Sequence, residues 1–351
     1  MRSFWGFFIL ILLGLGIASV IVFHSFSSEE QLVEDDEQQG INDQIIIKFS
    51  HVVAENTPKG LAAQRFARLV EEYTEHRVKV EVYPNQSLYS DGEEIKALQR
   101  NEVQLIAPAT SKITELSHKW QLLDLPFIFP NAAALKEALT GEVGVELLKA
   151  LEEQQIKGLS FWSNNFKQIT SNSPIRHPSD LSGKSFRIMS SKVLEEQFEH
   201  FGATTSITGF NDTFKNLEKN RQDSQENTIT NINSKKLYQV QKYMTISDHG
   251  YLGYAVMVNK PFWDDLPGDI QTDIQKAMDE TSNWLWLKSE EMNKQQMQEI
   301  KAKSNIKIYT LSESEKREWM EEMTVVYEQF EPSIGKDLMD RMQKIRQKYI
   351  R

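Results

Sequence analysis

The chain has no cysteine in 351 residues. Disulfides, thiolate metal sites, thiol nucleophiles and lipid attachment through cysteine are therefore excluded. It also lacks the G-x-x-x-x-G-K-[ST] phosphate loop and the G-x-S-x-G nucleophile elbow. Its seven histidines are scattered, with no H-E-x-x-H pair. No metal, no cofactor and no catalysis are expected from these absences. Positive charge is short too: 40 Lys and Arg stand against 50 Asp and Glu, a formal net charge of −10. A nucleic-acid groove needs a basic stripe to meet phosphates, so nucleic acid is excluded as a partner. A small anion is not excluded, because a few buried cations set a local field against the global one.

One long hydrophobic run is present. Phe4 to Phe23 carries no charge and lies between Arg2 and His24. At ~1.5 Å per residue such a run spans the ~30 Å hydrocarbon layer. Arg2 before it and the acidic cluster Glu29 to Glu37 after it put the N-terminus inside the cell and the remainder outside. Residues 1–24 read as a signal-anchor, an N-terminal transmembrane helix, or as a cleaved signal peptide. Residues 25–43 are an acidic linker, poor in large apolar groups. The expected location is the extracytoplasmic face of the cell membrane, or the cell surface after cleavage.

From Gln44 the chain alternates strands and helices. Ile45 to Ser50 reads as a buried strand, Pro58 to Thr74 as a helix, and Val78 to Tyr83 as a strand of period two. A short helix over Asp91–Arg100 and a strand over Val103–Ala107 follow. This alternation predicts a parallel sheet with helices on its faces. Leu159–Trp162, Ser185–Met189 and Leu252–Asn259 read as further strands, and Ser191–Phe201 as a helix. Pro267 opens a very long helix reaching about Lys303, with Ile270, Ile274, Ala277, Met278, Leu285, Met292 and Ile300 on its apolar face. Ser312 to Glu315 is a capping-box pattern. It opens a last helix whose stripe is Trp319, Met323, Val326, Tyr327 and Phe330. The length suits two lobes: 44–163 with 252–292, and 164–251 with 293–351.

Several ordered segments resemble one family. They are Ile47 to Gly60 (IKFSHVVAENTPKG), Val80 to Asn85 (VEVYPN), Asp124 to Phe127 (DLPF), Phe186 to Ser191 (FRIMSS) and Asp248 to Tyr254 (DHGYLGY). Together they are similar to the solute-binding proteins of tripartite ATP-independent periplasmic (TRAP) transporters, dicarboxylate type, over about residues 45–345. The resemblance implies a two-lobe α/β periplasmic-binding-protein-like fold with a ligand cleft between the lobes and a long lobe-spanning helix. It implies capture of a small organic acid, a C4-dicarboxylate such as succinate, fumarate or malate, by a monomer. The expected partner is a TRAP-type permease; a membrane-tethered sensing role beside a histidine kinase is the alternative.

Arg187 matches the family's carboxylate-binding arginine, and a guanidinium offers the planar fork that takes a carboxylate bidentately while staying charged. Asn227 matches the asparagine that bonds the same carboxylate. Lys167 stands where the family commonly places another basic group, and Phe210 fits an aromatic wall of the cleft. His51 and Lys59, with Ser111 and Lys112 after the third strand, are first-lobe candidates for the second carboxylate. The sequence departs from the family around the asparagine. An apolar pair is usual where Arg221-Gln222 stand, glycine where Ser224 stands and proline where Thr228 stands. A charge in that short strand is expected to disturb the lobe core or alter the cleft.

Overall fold

The computed structural model describes residues 44–350. The segment 4–23, expected to enter the membrane, and the linker 25–43 lie outside the described residues. Among the described residues no helix is long and apolar enough to cross a membrane.

The strands are β1 (Ile45–Ser50), β2 (Val78–Tyr83), β3 (Leu105–Ile106), β4 (Ile156–Ser171), β5 (Ser185–Ile188), β6 (Thr204–Ile207), β7 (Ser224–Asn227), β8 (Tyr243–Asn259) and β9 (Lys307–Thr310). They form one sheet in the order β2-β1-β3-β8-β4-β7-β5-β6, with β9 on β8. The helices are α1 (Pro58–Tyr73), α2 (Glu94–Gln99), α3 (Ala132–Thr140), α4 (Glu142–Lys149), α5 (Lys192–Glu199), α6 (Thr213–Glu218), α7 (Ile229–Ser234), α8 (Lys260–Asp265), α9 (Gly268–Lys303), α10 (Glu313–Glu322), α11 (Thr324–Ile334) and α12 (Lys336–Tyr349).

The sheet is parallel towards its two ends and where β9 joins β8. β1 runs parallel to β2 and β3, and β5 parallel to β6 and β7. Between them β4 and β8 pair antiparallel over most of their length. An all-parallel sheet, as the alternation predicts, is therefore not formed. These two strands cross the molecule in opposite directions and tie its halves together. Their register shifts at Gly158/Ser160, Ser163/Phe166 and Lys167/Ile169, irregularities that bend and twist a ladder.

Helix α9 has 36 residues and so is about 54 Å long at 1.5 Å per residue. Near its start Asp269 meets Arg77, the residue before β2, at 2.7 Å. In its middle the Ser282 hydroxyl accepts from Trp162 Nε1 of β4 at 3.1 Å. Further on, Asn293 Oδ1 accepts from the backbone N–H of Thr230 in α7 at 3.2 Å. The C-terminal stripe is not one helix. The capping box at Ser312 opens α10 as expected, but the chain breaks at Met323 and again at Gly335, whose φ of +99° suits glycine. Trp319 and Met323 join the core under β1 and β5, whereas Val326, Phe330, Leu338 and Met339 join a second core with Trp120, Leu135 and Leu147. Residues 324–349, grouped by sequence with the second lobe, pack on α3, α4 and residues 118–124 and also on α5.

Candidate functional site

The loops after β1, β2, β3, β5, β6 and β7 converge on one cavity, with β8 as its floor. It is lined by Val52, Val53 and Lys59 from the loop after β1 and the start of α1, by Lys112 and Asp91, by Arg187 and Asn227, and by Phe210 and Tyr254. Ligand groups gather at strand carboxyl ends in α/β sheets for the same topological reason. The cavity is small, about 30 Å³. An outer pocket of about 310 Å³ adjoins it through Asp91, Lys112, Arg187 and Met189. A groove of about 390 Å³ lies beside Ser160, Phe161 and Trp286, but no cation lines it.

Local structure explains how three cations reach this space. In β5, Phe186 points one way and stacks on Phe198 of α5 with ring centroids 4.3 Å apart. Strand alternation sends Arg187 to the opposite face. Arg187 is 2% exposed, and its guanidinium donates to the Thr208 carbonyl oxygen from Nε at 3.1 Å and from Nη2 at 2.8 Å. No carboxylate among the described residues lies within ion-pair reach of it. Burial lowers its pKa, opposed by the more distant charges of Asp91 and Glu226; a guanidinium stays protonated regardless.

Lys59 is in the first turn of α1, which Thr57 caps by accepting from the Gly60 N–H at 3.2 Å. Gly60 is required there, since a Cβ would sit 2.4 Å from the Ala54 carbonyl oxygen. The Lys59 ammonium donates to the Ala107 carbonyl at 2.9 Å and lies 4.0 Å from the Tyr254 ring centroid. Burial draws its pKa down, against the upward pull of Glu94 and Asp91. Lys112 pairs with Asp91 at 2.7 Å.

Asn227 closes β7 beside Arg187. Its Oδ1 accepts from the backbone N–H of Thr228 at 3.1 Å and from Asn231 Nδ2 at 2.8 Å. Asn164 Nδ2 bridges Thr228 Oγ1 at 3.0 Å and the Tyr254 hydroxyl at 3.2 Å.

Beneath the cavity lies a second polar cluster. Lys167 Nζ is 2.6 Å from Glu226 Oε1, and His249 Nε2 is 2.9 Å from Glu226 Oε2. His249 Nδ1 in turn meets Ser247 Oγ at 2.6 Å. Burial favours the neutral form of Glu226, but Lys167 and His249 outweigh it and hold the carboxyl at about 2. Gly250 leaves room for the Lys167 stem, as a Cβ there would be 2.6 Å from Lys167 Cε.

The family model for bacterial extracellular solute-binding proteins, family 7 (DctP), matches residues 49–333. The chain belongs to this family. It is 49% identical over 347 residues to the C4-dicarboxylate-binding protein DctB of Bacillus subtilis, covering 99% of each chain. It is 42% identical over 292 residues to the C4-dicarboxylate-binding periplasmic protein DctP of Rhodobacter capsulatus, covering 83% of this chain and 88% of that one. Among solved structures it matches a TRAP periplasmic solute-binding protein from Shewanella oneidensis with bound succinate. The TM-score is 0.84 at 38% identity, over 86% of this chain and 99% of that one. A TRAP periplasmic solute-binding protein from Pseudomonas aeruginosa with bound L-malate gives a TM-score of 0.79 at 35% identity, over 81% of this chain and 99% of that one. The resemblance and the two-lobe α/β fold read in the sequence agree with these matches.

Of the residues expected in this family 7 cleft, Arg187, Asn227, Phe210, Lys59 and Lys112 line the cavity together. Lys167, His51 and Ser111 do not line it. The Lys167 ammonium faces Glu226 instead of open space, because the buried carboxylate demands a counter-charge. His51 is fully buried against Phe49 with ring centroids 6.1 Å apart. Burial, then the charge of Lys59, lowers its pKa to about 3, leaving the ring neutral. Ser111 donates to buried Asp124 at 2.6 Å. Asp91, Asn231 and Tyr254 line the cavity without having been anticipated. Asn231 had a signal in its spacing, four residues after Asn227 across a helix start. The charge of Arg221 does not disturb the lobe core: the residue is exposed and precedes β7. Gln222 and Ser224 are buried; Gln222 Nε2 donates to the Ser206 hydroxyl at 2.5 Å while its Oε1 has no partner among the described residues, and Ser224 donates to the Ser171 hydroxyl at 3.0 Å.

Proposed function

We propose that this protein is an extracytoplasmic solute-binding protein that captures a C4-dicarboxylate for a TRAP-type uptake system. The observation that carries this reading is the buried guanidinium of Arg187, bonded to one carbonyl oxygen and to no carboxylate. Beside it the Asn227 amide is a second donor. Lys59 and Lys112 face the same space, with Asp91 as the one carboxylate lining it. Three cations against one anion suit a dianion. One carboxylate is assigned to Arg187 and Asn227, the other to Lys59 and Lys112. Relatives named for C4-dicarboxylate binding, and neighbours holding succinate and L-malate, support the same ligand class.

The inner space of about 30 Å³ is tight for a diacid of four carbons. In this reading the lobes part about β4 and β8 to admit it, and closure then desolvates both carboxylates. The ligand favours the closed state only through the contacts it gains there. A micromolar site needs about −8 kcal/mol, within reach of a few charge-assisted hydrogen bonds offset by association costs. The apolar segment 4–23 serves as the export signal or membrane tether.

Calorimetric titration of succinate into the purified protein and its Arg187→Ala variant tests the assignment. The variant is expected to melt cooperatively and to lose on the order of 100-fold or more in affinity, the usual consequence of removing a buried charged donor. Equal affinities would overturn it.

A further inference from the structure

Thr228 stands where the resembling family usually has proline, and this changes what its backbone can do. Its N–H donates to Asn227 Oδ1 at 3.1 Å. A backbone N–H is a donor only, so the side-chain atom it meets must be the amide oxygen. That fixes which way round the Asn227 amide lies, an orientation that otherwise rests on assignment. Asn231 Nδ2 donates to the same oxygen at 2.8 Å. Both acceptor sites of Oδ1 are thereby used. The Asn227 NH2 group makes no hydrogen bond to the described residues and is not sealed in as a buried orphan, while its side chain lines the cavity beside Arg187.

We infer that Thr228, through its main chain, and Asn231, through its side chain, lock Asn227 as a pure hydrogen-bond donor towards the ligand, and so set the preference of the site for a carboxylate over a carboxamide. The inference rests on the proposed acid site at Arg187 and deepens it. A free asparagine amide turns over to present its oxygen to a ligand amide at little cost. A locked one does not, so a carboxamide there leaves donor facing donor. Sites built on fixed polar partners reject ligands that leave those partners unpaired by large factors. Thr228 and Asn231 are positioning residues in this account.

The test measures a ratio. Succinate and its monoamide, succinamate, are titrated calorimetrically into the full-length protein and three variants. Thr228→Val keeps the N–H and removes the hydroxyl. Thr228→Pro removes the N–H without forcing the backbone, because φ at Thr228 is already −74°. The third joins Thr228→Pro to Asn231→Ala. The succinamate-to-succinate ratio of Kd is expected to stay at its native value in Thr228→Val and to shift about 2-fold in Thr228→Pro, where Asn231 still holds the oxygen. In the double variant it is expected to fall roughly 10-fold. A variant that merely loosens the fold weakens both ligands alike and leaves the ratio unchanged, and that result overturns the inference. Should the double variant not melt cooperatively, Asn231→Ala alone, in which the Thr228 N–H still holds the oxygen, is expected to lower the ratio about 2-fold, and an unchanged ratio there overturns the inference. Failure of the native protein to bind succinate would instead sink the acid-site reading itself.

Discussion

A lysine in the first turn of a helix opposes the helix dipole, and a buried one pays a desolvation penalty as well. Lys59 meets both conditions at 1% exposure. Burial brings its pKa down to about 8 against the pull of Glu94 and Asp91. Burial likewise pushes Glu94 up to about 7 against the opposing pull of Lys59. As pH rises from 6 to 9 Glu94 gains a negative charge and Lys59 loses a positive one, so both steps strip positive potential from the cavity wall. Affinity for a dianion whose own charge is constant over that range should fall, by roughly tenfold or more, since each unit of linked shift is a factor of ten. Calorimetry at pH 6, 7.5 and 9 measures it. The Lys59→Met variant should bind weakly and with a much flatter profile. A flat profile in the native protein would mean that Lys59 does not face the anion.

At the scale of elements, β4, β7 and β8 are joined by Lys167, Glu226 and His249, one residue from each strand. Glu226 is held at about 2, below its ordinary 4.5. A carboxyl depressed in the folded state contributes stability that is present above 4.5 and lost as pH falls towards 2. Glu226→Gln leaves Lys167 buried without its counter-charge and should cost about 3 kcal/mol at pH 7. Its urea midpoint should then change less than the native one between pH 5 and pH 3. A variant whose midpoint at pH 7 equals the native value would show that the triad does not brace the crossing strands. These same strands mark where sequence patterning runs out. β2, as VKVEVY, shows its period of two openly. In β4 only Leu159–Trp162 is apolar enough to read, yet the strand continues through Asn164, Lys167, Gln168, Thr170 and Ser171, all buried. Gln168 Oε1 accepts the Ser247 N–H at 2.8 Å and Thr170 accepts from Gln225 at 2.8 Å. Burial there is made affordable by partners distant in sequence, which hydropathy does not register. The cavity behaves alike. Arg187 was readable from its motif and Asn227 from its match to the family's asparagine, whereas the places of Asp91 and Tyr254 at the cavity are set by the folded arrangement of a loop and a crossing strand, although Tyr254 closes a recognised motif.

For the whole molecule the question is what holds the two sides of the cleft together. Phe210, from the loop after β6, packs with Val52 and Val53, from the loop after β1, in a small apolar cluster separate from the main cores. In the proposed closure about β4 and β8 this contact would be made only in the closed state, and would add to that state and nothing to an open one. Ligand binding that depends on closure draws on it. A ligand at 100 times its Kd stabilises the folded protein by about 2.7 kcal/mol, which for a body of this size raises Tm by roughly 5 °C. Succinate, fumarate and malate should produce such shifts in the native protein, and neutral sugars none. Phe210→Ala removes the cross-cleft contact while leaving Arg187 and Asn227 in place. It should leave the ligand-free Tm within about 3 °C, since the cluster is peripheral to the cores. At fixed succinate concentration it should cut the ligand-induced shift by about half, the expectation for a roughly tenfold rise in Kd that begins at 100-fold saturation. X-ray scattering of the variant with succinate should show a radius of gyration nearer the open form than the native complex does. If the shift and the radius both match the native protein, the apolar seam is incidental and closure is driven by the charged groups alone.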